Sequence, residues 1–223
     1  MDNHIKSFVK RASRMSKGQQ RGYEKVFPEY EIPYNTQGID FLQEFGNTNP
    51  VIIEIGFGMG GPTLEIAKGF PETNFIGIEV HKPGIGKLAS DIQEQNIKNL
   101  RIIEGDAVSV FQHMLPGNSL AGIHVFFPDP WPKKKHHKRR LLQPEFVSLA
   151  AERLINKTGY LYAATDWEDY AHHILKVFQA EPLLENTCAG FSERKPWRPE
   201  TKFEKRGMNR SHPIFDIFFV KSE

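Results

Sequence analysis

The sequence predicts an α/β fold: a mostly parallel sheet with helices on both faces and an antiparallel strand at the C-terminus. Three observations predict it. From residue 51 onward, short runs rich in Val, Ile, Phe and Tyr alternate with helical stretches, as parallel strands joined by crossover helices do. Those runs lack clean polar/apolar alternation, as expected of strands covered on both faces. A glycine-dense turn, "EIGFGMGG", closes the first run at a strand-to-helix junction.

The elements follow in order. Residues 1–50 are polar and interrupted by Gly and Pro, so a basic arm over 1–30 is expected, then a short helix around "GIDFLQEF". Strands are expected at 51–55, 74–80, 100–105, 121–127 and 159–165. Between them "PTLEIAKGF", "KPGIGKLASDIQEQNI" and "AVSVFQHML" read as helices, with Pro62 where a helix start tolerates it. Leu142, Phe146, Leu149 and Ala150 share one helical face, as do Tyr170, Ile174, Val177 and Phe178. "LLENT" and "IFDIFFVK" read as a final antiparallel strand pair. No repeat or linker divides the rest, so 31–223 is expected to form a single domain.

No run approaches the roughly 18 apolar residues of a membrane span, and the first residues carry no apolar core of a signal peptide. The lone Cys188 excludes an internal disulfide and a multi-cysteine metal or cluster site. A cytoplasmic protein without a membrane partner is expected. The net charge of +2 conceals polarity: residues 1–25 hold seven Lys/Arg against two acids, and 133–140 hold six more. Two basic patches on an otherwise acidic chain suit a polyanion approached at defined places. Polar, basic and glycine-bearing, the arm is expected to be disordered alone and to order on that polyanion.

Gly56, Gly58 and Gly60 lie where backbone must come close to a ligand, a loop shared by dinucleotide and S-adenosylmethionine sites. Glu79 ends the second strand, where a carboxylate accepts ribose hydroxyls; Asp106 follows the third strand, and Glu54 lies inside the first. Taken singly, each acid is open to a helix-capping role, Asp106 most of all. Together the loop, Glu79 and Asp106 resemble the first three motifs of class I S-adenosylmethionine-dependent methyltransferases. That resemblance implies a Rossmann-like, seven-stranded sheet, with Asp106 and Ala107 near the adenine. An NAD-dependent oxidoreductase would explain the loop and Glu79 but not Asp106.

The fourth strand ends at "PDPW", where two prolines stiffen the backbone around Asp129 and Trp131 offers a flat face for a base. The form "FFPDPWPKKKHHKRR" resembles the bacterial tRNA (guanine-N(7))-methyltransferase family. "IKSFVKRASRMSKGQQ", "ATDWEDYA" and "ETKFEKRG" resemble further motifs of that family, in its order and across nearly the whole chain. The resemblance implies methyl transfer from S-adenosylmethionine to N(7) of a guanine in the tRNA variable loop, releasing S-adenosylhomocysteine. Glu54, Glu79, Asp106 and Asp129 would contact the cofactor, with Asp129 also catalytic. Lys133, Asp166, Thr201, Lys202, Phe203 and Glu204 would bind the substrate.

The tract Lys135, His136, His137, Lys138, Arg139 and Arg140 would grip phosphates, which position an RNA without reading it. The histidines come as adjacent pairs that face different ways, so no metal site is expected. A non-catalytic RNA-binding protein would explain the basic patches but could have lost the acids. No obligate protein partner is implied, and monomer and homodimer both stay open.

Overall fold

The computed structural model describes residues 5–9, 14–200, 204 and 213–222. The chain divides into two compact units: Lys10–Pro116 with Trp197–Pro199, and Met1–Val9 with Gly117–Pro196 and Glu200–Glu223. The strands form one seven-stranded sheet, in the order β3-β2-β1-β4-β5-β7-β6.

The first unit holds β1 (Val51–Ile55), β2 (Asn74–Glu79) and β3 (Leu100–Glu104). All three are parallel, and their register sets Glu79 beside Glu104 at the strand ends. Every residue of β2 is buried, which is why it shows no alternation. Helices α1 (Lys17–Arg21), α2 (Phe41–Phe45), α3 (Gly61–Gly69), α4 (Lys82–Glu94) and α5 (Ala107–His113) complete the unit. Pro62 and Pro83 sit in first turns, where a missing N–H is harmless. Ile53, Ile76, Leu88, Ile92, Ile102 and Phe111 form its core.

Residues 17–29 depart from the mobile arm expected over 1–30. Ser16 and Gln19 form a reciprocal capping box that starts α1. A π-helical turn at Gly22–Val26 and a 3₁₀ turn at Phe27–Glu29 continue it. Val26 and Phe27 are buried against this unit, so the segment has an apolar anchor that its charge count conceals. Residues 1–4 and 10–13 of the expected arm lie outside the described residues.

The second unit holds β4 (Leu120–Phe126) and β5 (Tyr160–Thr165), which pair in parallel. β7 (Phe215–Lys221) runs antiparallel to β5 and to β6 (Leu184–Asn186), as the sequence predicts for the last pair. Helices α6 (Pro144–Arg153) and α7 (Glu168–Ala180) follow β4 and β5. Leu142, expected on the α6 face, is buried but precedes the helix, which begins at Pro144. Among the described residues no helix is long and apolar enough to cross a membrane.

Candidate active site

In the first unit the glycine turn takes left-handed backbone at Gly56, Gly58 and Gly60, with φ of 75°, 59° and 75°. A Cβ added at Gly56 or Gly58 would meet nothing within 4 Å, so these two border open space. Gly60 does not. A Cβ there would strike Leu88 at 2.7 Å, its N–H bonds the Phe57 carbonyl and its own carbonyl accepts from Leu64. Gly60, expected to contact the cofactor, thus packs against α4 on the side where a Cβ would lie. Helix α4 comes so close that a Cβ on Gly84 would lie 1.8 Å from the Gly58 carbonyl oxygen.

The acids divide by environment. Glu79 accepts the Gly58 N–H at 2.8 Å through Oε2, and the Val80 and His81 N–H groups at 2.7 and 3.0 Å through Oε1. Its carboxylate thus ties the strand end to the loop, and Oε2 keeps a lone pair for a hydroxyl donor. Glu54 is buried, and burial pushes its carboxyl up to about 7. The Thr63 hydroxyl favours the charged form, although it lies outside good hydrogen-bond geometry, and the Glu79 charge opposes that form. Asp106 accepts from the Val108 N–H at 3.2 Å and so caps α5, whose first residue, Ala107, is buried. The capping role is therefore present at Asp106.

Sequence reasoning missed what the N-terminal segment adds. Tyr23 donates to Glu104 at 2.5 Å, and Lys82 lies over the Tyr23 ring at 4.9 Å. The Gln19 amide reaches the Met59 sulfur in the glycine turn at 3.9 Å. The signal was present in "GQQRGYEKVF", where glycine and spaced apolar residues break the basic pattern.

In the second unit β4 gives way to a turn in which Phe127 and Trp131 both have positive φ, 52° and 47°. Such backbone is costly for bulky residues and persists only where surroundings enforce it, commonly at functional sites. Asp129 lies between them, exposed, and among the described residues its carboxylate has no hydrogen-bond or ion-pair partner. Trp131 was expected to offer its face to a base. Instead the Arg139 guanidinium covers that ring at 5.0 Å, and the indole N–H donates to the Ser7 carbonyl at 3.0 Å.

The basic tract winds into a 3₁₀ helix over Lys134–Arg139. Lys133, Lys134, Lys135 and Lys138 are exposed, and His136 and His137 half-buried. Partial burial and the neighbouring cations hold His136 below its usual value. Arg140, expected among the RNA contacts, is enclosed by protein. It is only 3% exposed, donates to the Pro130 carbonyl at 2.9 Å and to Asp169 at 2.5 Å, and lies over the Tyr170 ring.

Asp166 is half-buried just past β5, where the Thr165 hydroxyl accepts the Trp167 N–H at 3.2 Å. Glu204 is buried, and Thr201, Lys202 and Phe203 lie outside the described residues. No group of three or more His, Cys, Asp or Glu among the described residues is placed to hold a metal ion.

A glycine turn with acids at parallel strand ends, on a sheet of this order, fits a methyltransferase of the α/β class. A family model described as "Putative methyltransferase" matches residues 48–217. The chain is similar in fold to the 16S rRNA methyltransferase KamB, at TM-score 0.57 and 14% identity over 96% of this chain and 97% of that one. An rRNA methylase from Streptococcus thermophilus gives TM-score 0.53 and 14% identity over 82% and 93%. This chain is 52% identical over 224 residues to the tRNA (guanine-N(7)-)-methyltransferase of Nitrosomonas eutropha, covering 100% of both. The enzyme of that name from Cupriavidus metallidurans is 50% identical over 220 residues, 97% of this chain and 84% of its own. The chain belongs to the tRNA (guanine-N(7)-)-methyltransferase family.

Proposed function

We propose that this chain transfers a methyl group from S-adenosylmethionine to N(7) of a guanine in the variable loop of tRNA. The observation that carries the reading is the strained Pro-Asp-Pro-Trp turn ending β4, in a chain half identical, over its whole length, to enzymes of that name.

The first unit suits the cofactor. Gly56 and Gly58 leave open space at the strand end, Glu79 retains an acceptor for a ribose hydroxyl, and Glu54 is a buried acid beside them. Asp106 and Ala107 would lie towards the adenine. When bound, S-adenosylmethionine supplies an electrophilic methyl on a positively charged sulfur. A nearby cation favours ionised Glu54, reversing the effect of its burial.

Guanine N(7) carries a lone pair and no proton at neutral pH, so Asp129 need not act as a base. Its carboxylate, without a hydrogen-bond partner among the described residues, accepts from the ring N–H and exocyclic amine of the guanine and offsets the charge that develops on the base. Lys133, Asp166 and Glu204, with Thr201, Lys202 and Phe203, would hold the nucleotide, and the exposed lysines of the 3₁₀ helix the phosphates. The reading places the protein with tRNA in the cytoplasm.

Asp129→Asn tests the electrostatic role, since it keeps shape and removes charge. Turnover is expected to fall about 10- to 100-fold with cofactor affinity unchanged. Wild-type turnover in Asp129→Asn would remove the carboxylate from the mechanism.

A further inference from the structure

The turn that carries Asp129 has no regular structure to hold it. β4 stops at Phe126, the next residue is left-handed, and Trp131 is left-handed again. Pro128 and Pro130 fix their own φ but donate no hydrogen bond that could tie the turn down. From the tract that follows, one side chain turns back inward. Arg140 places Nε 2.9 Å from the Pro130 carbonyl, one residue beyond Asp129.

That guanidinium is itself held on three sides. Nη2 meets the Asp169 carboxylate at 2.5 Å and His137 Nε2 at 3.3 Å, and the flat face lies 4.7 Å from the Tyr170 ring centre. Tyr170 is fully buried in α7 and its hydroxyl accepts from the Leu142 N–H at 3.3 Å. The chain of contacts therefore runs from a rigid helix, through one planar cation, to the carbonyl beside the candidate catalytic acid.

We propose that Arg140 is a positioning residue for methyl transfer: it ties the Asp129 turn to α7 through the Pro130 carbonyl, and does not bind RNA. The inference rests on the reading of Asp129 given above. Its chemistry requires arginine. A guanidinium lies flat on an aromatic ring while donating in its plane to two acceptors, whereas an ammonium on a lysine stem lacks both the plane and the Nε donor. Asp169 completes the device. Its own carboxyl is held below the usual range chiefly by the hydrogen bond from Arg140, as a persistent pair requires.

Arg140→Lys and Asp169→Asn separate this role from the alternatives. Arg140→Lys keeps the charge, so tRNA affinity is expected to stay within about threefold while kcat falls about 10- to 100-fold, as for a misplaced reacting group. In an Asp129→Asn background the same change is expected to cost less than about twofold, because both substitutions act through one carboxylate. Amide exchange at Asp129 and Trp131 should quicken in Arg140→Lys and more modestly in Asp169→Asn. Asp169 is well exposed, so its variant serves if Arg140→Lys fails to fold.

A loss seen wholly in tRNA affinity would make Arg140 an RNA contact and overturn the proposal. Full additivity with Asp129→Asn, or unchanged exchange at Asp129 and Trp131, would overturn it equally. Should wild-type protein not methylate tRNA, the functional reading fails, while the exchange measurement still decides whether Arg140 holds the turn.

Discussion

The Trp131 indole donates its only N–H to the Ser7 carbonyl at 3.0 Å, joining the N-terminal arm to the turn that carries Asp129. The same ring carries Arg139 on its face. One aromatic residue thus gathers a basic arm and a basic helix at the candidate acid.

Trp131→Phe keeps a ring for Arg139 and deletes the donor. One neutral hydrogen bond is worth about 1 kcal/mol, so tryptic cleavage at Lys6 in the free protein should quicken about fivefold. Unchanged cleavage would show that the arm rests there without this bond.

Gly86→Ala tests the docking of residues 17–29. Its Cβ would lie 2.1 Å from the Gln19 carbonyl oxygen and 2.8 Å from the Tyr23 nitrogen, both backbone atoms that cannot swing aside. A cost of about 1–3 kcal/mol in stability is expected, with faster amide exchange confined to the N-terminal segment. A wild-type melting temperature would mean the segment contributes nothing to the fold.

Two buried groups give opposite pH dependences. Burial drives His124 down to about 3 from 6.5, so the stability of its neutral form is complete above 6.5 and declines as pH falls towards 3. Glu54 is raised to about 7 from 4.5, so its contribution is complete below 4.5 and is lost as pH rises to 7. Each has a limiting slope of about 1.4 kcal/mol per pH unit, and between 4.5 and 6.5 they oppose each other. In Glu54→Gln the falling component disappears. Its melting temperature relative to wild type should climb from pH 4.5 to 7 and then level off. A constant offset would mean that Glu54 ionises normally in the fold.

Salt dependence separates the exposed lysines of the tract from its buried arginine. Each phosphate neutralised contributes roughly 0.7–0.9 to the slope of log K against log salt. Lys135→Gln and Lys138→Gln should each flatten the slope for tRNA by about that amount. An unaltered slope would take the 3₁₀ helix out of the RNA contact.

The strands of the first unit were legible because each is a β-branched run buried on both faces, and the final antiparallel pair because turn residues isolate it. Glu79 was placed correctly, but its three backbone partners were not visible, since they depend on how the loop folds back onto it. The burial of Arg140 is hidden for a plainer reason. A sequence displays charge, not burial, and the last residue of a basic run turned inward looks like its neighbours. Residues 17–29 were read as arm because their packing relies on Gly22 meeting Gly86, a pairing that no local pattern records.

The central claim is tested most directly by methyl transfer from labelled S-adenosylmethionine to unmodified tRNA, with the product nucleoside identified after digestion. Labelled 7-methylguanosine from the variable loop, lost in Asp129→Ala, is the result expected. Cofactor binding with label in any other nucleoside, or in none, would contradict the account.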